Sequence, residues 1–132
     1  MRNSFQILFL SFLFLFSACK KVETPNEEAK KVFGSWVYRY NTGGMSGAGG
    51  SQRFIEGQWL EFTDKGKLLI FEGSKKINKF RFKIEMKKSI YGGERPALIY
   101  ENGVYETYQV QGDQLMISDE HYDGFAFVFE RK

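Results

Sequence analysis

Residues 79–87 read K-F-R-F-K-I-E-M-K. Phe80, Phe82, Ile84 and Met86 fall on one side of an extended chain, and Lys79, Arg81, Lys83, Glu85 and Lys87 on the other. That period of two describes a β-strand with one dry face and one wet face, whereas a helix would scatter the same apolar side chains around its cylinder. Residues 36–40, W-V-Y-R-Y, alternate likewise, as do residues 124–131 with Phe125, Phe127 and Phe129. Further strands are expected at 58–63, 67–72, 97–101, 104–111 and 114–118. The exception is 25–33, P-N-E-E-A-K-K-V-F, where acids precede lysines as a helix dipole favours, with Gly34 as its stop.

Turn chemistry separates the strands. Asp64-Lys65-Gly66, Gly112-Asp113 and Asp123-Gly124 mark reversals, and Asn102-Gly103 is the strongest hairpin signal, as a type I′ turn with positive φ at both residues. Gly92-Gly93 and Pro96 break the chain between two strands. The expected fold is all-β: an antiparallel up-and-down barrel of about eight strands after one short helix, since closure disposes of exposed edges. An open sandwich is the alternative.

The first residues have a different character. Arg2 precedes an apolar run over 7–16 interrupted only by Ser11, too short for the roughly 20 residues of a membrane crossing and suited to a secretory signal. Phe16-Ser17-Ala18-Cys19 resembles the lipobox of bacterial lipoproteins, which implies cleavage before Cys19 and a diacylglycerol on its sulfur. An ordinary signal peptide is the competing reading. Cys19 is the only cysteine, so no intramolecular disulfide is available to it. The organisation expected is a signal at 1–18, a lipidated tether with the short helix at 19–31, and a barrel at 32–132. Residues 22–28 read as the solvated part of that tether.

Bulk charge excludes little but says something about partners. The net charge of +3 is mild and the basic residues alternate with acids and aromatics, so nucleic acid is not an expected partner. Catalysis has little to work with. His121 is the single histidine and sits in the polar run Asp119-Glu120-His121-Tyr122-Asp123-Gly124, which reads as a solvated turn and not as a calcium or zinc site. No catalytic residue, metal or cofactor is expected.

Gly34-Ser35-Trp36, after a short helix and opening the first strand, resembles the Gly-x-Trp motif of lipocalins. With E-F-T-D-K-G-K at 61–67 and D-G-F-A-F-V-F-E-R-K at 123–132, the chain resembles lipocalin-like domains of small bacterial lipoproteins over roughly residues 32–132. The resemblance implies that Trp36 plugs the closed end of the barrel beside Gly34, with Arg131 across its ring. It also makes residues 41–52, N-T-G-G-M-S-G-A-G-G-S-Q, the large loop at the open mouth. That loop reads as a flexible connector, or else as a lid with Met45 as a soft apolar contact.

Alternation turns Trp36, Tyr38, Phe80, Phe82, Tyr108 and Phe127 inward. An eight-stranded barrel is just wide enough to be filled by side chains or to hold one small ligand, so this many aromatics point to a packed or narrow interior. Two functions follow as expectations for a monomer anchored in a bacterial cell envelope, the outer membrane before the inner. One is binding of a small apolar ligand through Tyr38, Met45, Phe80, Phe82, Tyr108 and Phe127. The other is an interaction or inhibitor module that presents the outer face of a packed barrel to an envelope protein.

Overall fold

The computed structural model of the chain describes residues 20–44, 51 and 53–132; Cys19 and Met45 lie outside them. One helical turn, α1 (Glu27–Lys30), precedes eight strands: β1 (Gly34–Gly43), β2 (Gln58–Phe62), β3 (Lys67–Glu72), β4 (Lys75–Lys88), β5 (Glu94–Tyr100), β6 (Tyr105–Gln111), β7 (Gln114–Asp119) and β8 (Phe125–Arg131). Each strand runs antiparallel to its neighbours in the chain, and β8 returns to β1, so the expected barrel closes.

The interior is filled. Phe54, in the β1–β2 connection, turns in among Tyr38, Phe127 and Phe129 with ring centroids 5.2–5.7 Å apart. Lower down, Phe62 meets Phe82 edge to face at 5.6 Å. Tilted and edge-on rings at these spacings are favourable aromatic contacts, and among the described residues they occupy the centre of the barrel. Four of the inward aromatics expected from alternation are among the buried core with Trp36, namely Tyr38, Phe82, Tyr108 and Phe127. Phe80 is not; it is 42% exposed, for a reason that lies in β4.

β4 is long, and no residue of it is paired on both sides. Lys75–Arg81 pair with β3, and Phe82–Lys88 pair with β5, beginning at Phe82↔Tyr100. The strand therefore has two half-edges. Beside the lower half, the N-terminal segment fills the gap: the Val22 N–H donates to the Asp64 carbonyl at 2.7 Å, and Asn26 reaches the Met86 sulfur at 4.0 Å. Residues 22–28, expected as a free tether, thus begin on the barrel itself, because Val22 has an apolar face to bury against the core. Beside the upper half no strand of the described residues pairs on the β5 side, and every residue from Lys75 to Arg81 is exposed.

Other boundaries shift for local reasons. α1 is four residues and not nine; Asn26 caps it by accepting from the Ala29 N–H at 2.8 Å, and Lys31 closes it. A bulge at Arg39 breaks the alternation of β1, leaving Tyr40 52% exposed and drawing Asn41 in, and β1 runs three residues further than a loop at 41 allows. Pro96 lies within β5 instead of ending the preceding break; β6 pairs only from Ala97, so proline's missing donor falls where the strand has one neighbour. The Asn102-Gly103 turn is not type I′, because only Gly103 has positive φ (82°). The Gly103 N–H donates to the Tyr100 carbonyl at 2.9 Å and the Tyr100 N–H to that of Val104 at 3.0 Å, a turn with a glycine bulge.

The closed end is a plug of satisfied carbonyls. Trp36 is fully buried and its indole N–H donates to the Val32 carbonyl at 2.7 Å. The Arg131 guanidinium stands 3.8 Å from the Trp36 ring centroid and donates to the carbonyls of Phe33 (2.9 Å) and Lys31 (3.1 Å). Tyr108 donates to the Ala29 carbonyl at 2.7 Å. Three side chains from three strands thus take four orphan carbonyls at the end of α1, which a short helix cannot satisfy itself. Gly34 belongs to the same arrangement, since its φ is 117° and a Cβ there would sit 2.9 Å from Arg131 Nη1.

Trp36→Ala removes both the plug and a carbonyl's partner. The expected loss is about 3–5 kcal/mol of folding stability, read as a fall in urea midpoint; an unchanged midpoint would show that the plug does not hold the barrel shut.

Candidate functional site

The upper half-edge of β4 opens a crevice of about 230 Å³ in the barrel wall, lined by Leu68, Phe80, Val104, Asn102, Tyr100, Glu106 and Arg53. Its walls are mostly apolar. Its floor is not. Glu106 points inward from β6, in phase with Tyr108, and is 4% exposed. A buried carboxylate is costly unless paired and fully hydrogen-bonded, and here it is both. Arg53 forks onto it, with Nη1 on Oε1 and Nη2 on Oε2 at 3.2 Å, and the Tyr100 hydroxyl donates to Oε2 at 2.9 Å.

Arg53 is positioned by the connection that also buries Phe54. Its guanidinium stands 5.0 Å from the Phe54 ring centroid and 5.2 Å from that of Phe127, and 3.9 Å from Asp119. Asp119 is itself fixed, accepting the Phe125 N–H at 3.0 Å. From β1, the Asn41 side chain bonds both backbone groups of Ser51 at 3.2 Å and donates to the Tyr38 hydroxyl at 2.6 Å. The β1–β2 connection is thus tied to the barrel at Ser51, Arg53 and Phe54.

The electrostatics keep the two donors of this floor, Arg53 and Tyr100, protonated. Burial alone would lower the proton affinity of Arg53, but the hydrogen bond and charge of Glu106 outweigh it and raise it. Burial, and then the Glu106 charge, push the Tyr100 phenol well above its ordinary range, so it stays a donor. No buried side-chain nitrogen or oxygen lacks a partner among the described residues. What such a floor does chemically is hold a fixed dipole under an apolar slot.

Beyond the crevice the opening continues as a groove over the outer wall, between Lys79, Phe80 and Arg81 of β4 and Tyr100, Glu101 and Asn102 at the β5–β6 turn. Of the described residues expected to bind, only Phe80 lines this opening. Tyr38, Phe82, Tyr108 and Phe127 are core, and Tyr108 belongs to the plug. Glu106 was legible in principle from its phase in Y-E-T-Y-Q-V-Q; its partner Arg53, 53 residues away in an irregular segment, was not. His121 sits at an exposed turn whose Gly124 N–H donates to its carbonyl at 2.9 Å, and no group of residues suited to a metal occurs among the described residues.

Two predictions follow from the floor. Arg53→Ala should cost about 2–3 kcal/mol, less than a fully buried pair because the guanidinium is 37% exposed. Adding Glu106→Gln should recover most of it, measured by urea unfolding of both variants. Tyr100 binds its proton more tightly folded than unfolded, so its stabilisation is complete below its unfolded value near 10 and is lost as pH rises through the folded value. Stability should therefore fall above about pH 10, and Tyr100→Phe should flatten that fall by up to about 1.4 kcal/mol per pH unit; equal slopes would contradict it.

No protein-family model matches the chain, and no curated protein and no solved structure matches it either.

Proposed function

We propose that this protein is a non-catalytic binding module with a lipocalin-like barrel, held at a bacterial envelope membrane by lipid on Cys19. It receives an apolar group in the lateral crevice and not in a central calyx. The observation that carries this reading is the pairing of an apolar slot with a polar floor whose groups already satisfy one another. A ligand there gains apolar burial without having to break the Arg53–Glu106 pair.

Size decides what enters. Pockets for whole small molecules run to roughly 300–1,000 Å³, and the crevice offers about 230 Å³. It suits one side chain or a short alkyl group, with the remainder of the ligand lying outside along the groove. The filled interior therefore also favours the second reading, a partner held by the outer wall, with the crevice taking a single anchoring group.

Val104 is 56% exposed at the crevice wall, so a larger residue there blocks the slot without disturbing the core. Val104→Trp should abolish binding of 1-hexanol, followed by chemical-shift changes at Leu68 and Val104 neighbours in the wild type; binding that survives the block would place the site elsewhere. Cys19→Ala should move the protein from the membrane fraction to the soluble one, and continued pelleting with membranes would remove the anchor from the proposal.

A further inference from the structure

We infer that the free upper edge of β4 takes a short extended peptide strand in which acidic and apolar residues alternate. This rests on the crevice reading above and adds the chemical class of the ligand.

The backbone supplies the first reason. Among the described residues, Lys75–Arg81 have β3 on one side and no strand on the other, and the β5–β6 turn ends level with Arg81. A bulge at Ile77 interrupts the pairing with β3, so the regular part of the edge is Asn78–Arg81. Lys79 and Arg81 turn their main-chain groups away from β3, and the Asn78 Oδ1 that now accepts the Lys79 N–H at 2.8 Å would give way to a strand added in β-augmentation, where main-chain hydrogen bonds give affinity and alternate side-chain pockets give specificity.

The side chains supply the second. Lys79 and Arg81 stand on the outer face of this edge, with Lys75 and Lys76 above them. Lys75, Lys76 and Lys79 have no carboxylate within 4.0 Å among the described residues, and Arg81 has Glu101 only at 3.8 Å. Cations along an edge repel a second copy of the same edge, which is how sheets avoid self-pairing. The same cations attract an acidic strand. On the inner face Phe80 is 42% exposed beside the crevice, against Tyr100 at 6.3 Å. An incoming strand would set its acidic side chains beside Lys79 and Arg81 and its apolar ones beside Phe80, with one entering the slot.

The exposed main chain of the edge favours a peptide over a lipid surface, because only another extended chain meets its donors and acceptors in register.

The test uses the full-length lipidated protein in nanodiscs and a fluorescent hexapeptide alternating glutamate with valine, followed by anisotropy. The expected result is saturable binding that weakens about tenfold for the Lys79→Glu/Arg81→Glu variant. Binding should also weaken about tenfold or more when alternate peptide amides are N-methylated, which removes donors and needs no change in the protein. A lysine–valine hexapeptide should not bind. Equal binding of the N-methylated peptide, or indifference to the charge reversal, overturns the inference. So does a failure of the peptide to bind while 1-hexanol still fills the slot, which leaves the crevice reading standing; loss of both removes the two together. Charge-dependent sedimentation with phosphatidylglycerol vesicles, or self-association, without peptide binding would assign the edge to lipid or to a second copy and also overturns it.

Discussion

The barrel depends on a single strand that serves two neighbours at different heights. β4 pairs with β3 through Arg81 and with β5 from Phe82, so the sheet closes only because this strand is 14 residues long. Tilt and stagger are linked in any closed sheet, and here a large share of the stagger is taken up at one place. Two half-edges are the geometric consequence. The lower is filled by the chain's own N-terminal segment and the upper is left as the crevice, so the plug and the candidate site are two outcomes of one pairing constraint.

The floor of that crevice is an expensive choice. A buried ion pair seldom stabilises more than an apolar replacement of the same shape, since desolvation consumes most of the attraction. Retaining Glu106 with Arg53, Tyr100 and Asp119 therefore fits a requirement other than stability. One such requirement is to bring the β1–β2 connection to a fixed place, because Arg53 and the buried Phe54 are adjacent and the pair aligns both. The aromatic ring fills the barrel centre and the guanidinium closes the crevice floor. Filling the centre leaves the crevice at the side as the opening in the barrel.

The sequence exposes some of this and conceals the rest, for reasons that differ by residue. The alternation of 79–87 identifies β4 as a two-faced strand, yet it continues unbroken through Phe82, so nothing local marks the switch of partners. Phe80 was expected in the core on the same parity as Phe82, and it is the neighbouring strand, not its own phase, that decides between core and crevice. The plug of Trp36, Gly34 and Arg131 was legible because a short motif carries it. The bulge at Arg39 leaves no signature in W-V-Y-R-Y, and it reverses the sides taken by Tyr40 and Asn41. Glu106 was within reach of a phase count, but a carboxylate on an inward position has no meaning until its distant cation is known.

The N-terminal segment links these features to the proposed anchor. Lys21 lies 3.7 Å from Asp64 and Val22 is already bonded to the barrel, so only Lys20 stands between Cys19 and the folded wall. With lipid on Cys19, the domain would sit against the bilayer and not on a long spacer, its plugged end down. A ten-residue strand at 3.3 Å per residue, tilted by about 40°, spans about 25 Å, which is the height at which the mouth would stand above the surface. At physiological ionic strength the field of an anionic membrane decays within about 8 Å. Lys75 and Lys76, beside the β3–β4 turn, would then lie beyond its reach, and their charge is better explained by something that approaches from the aqueous side.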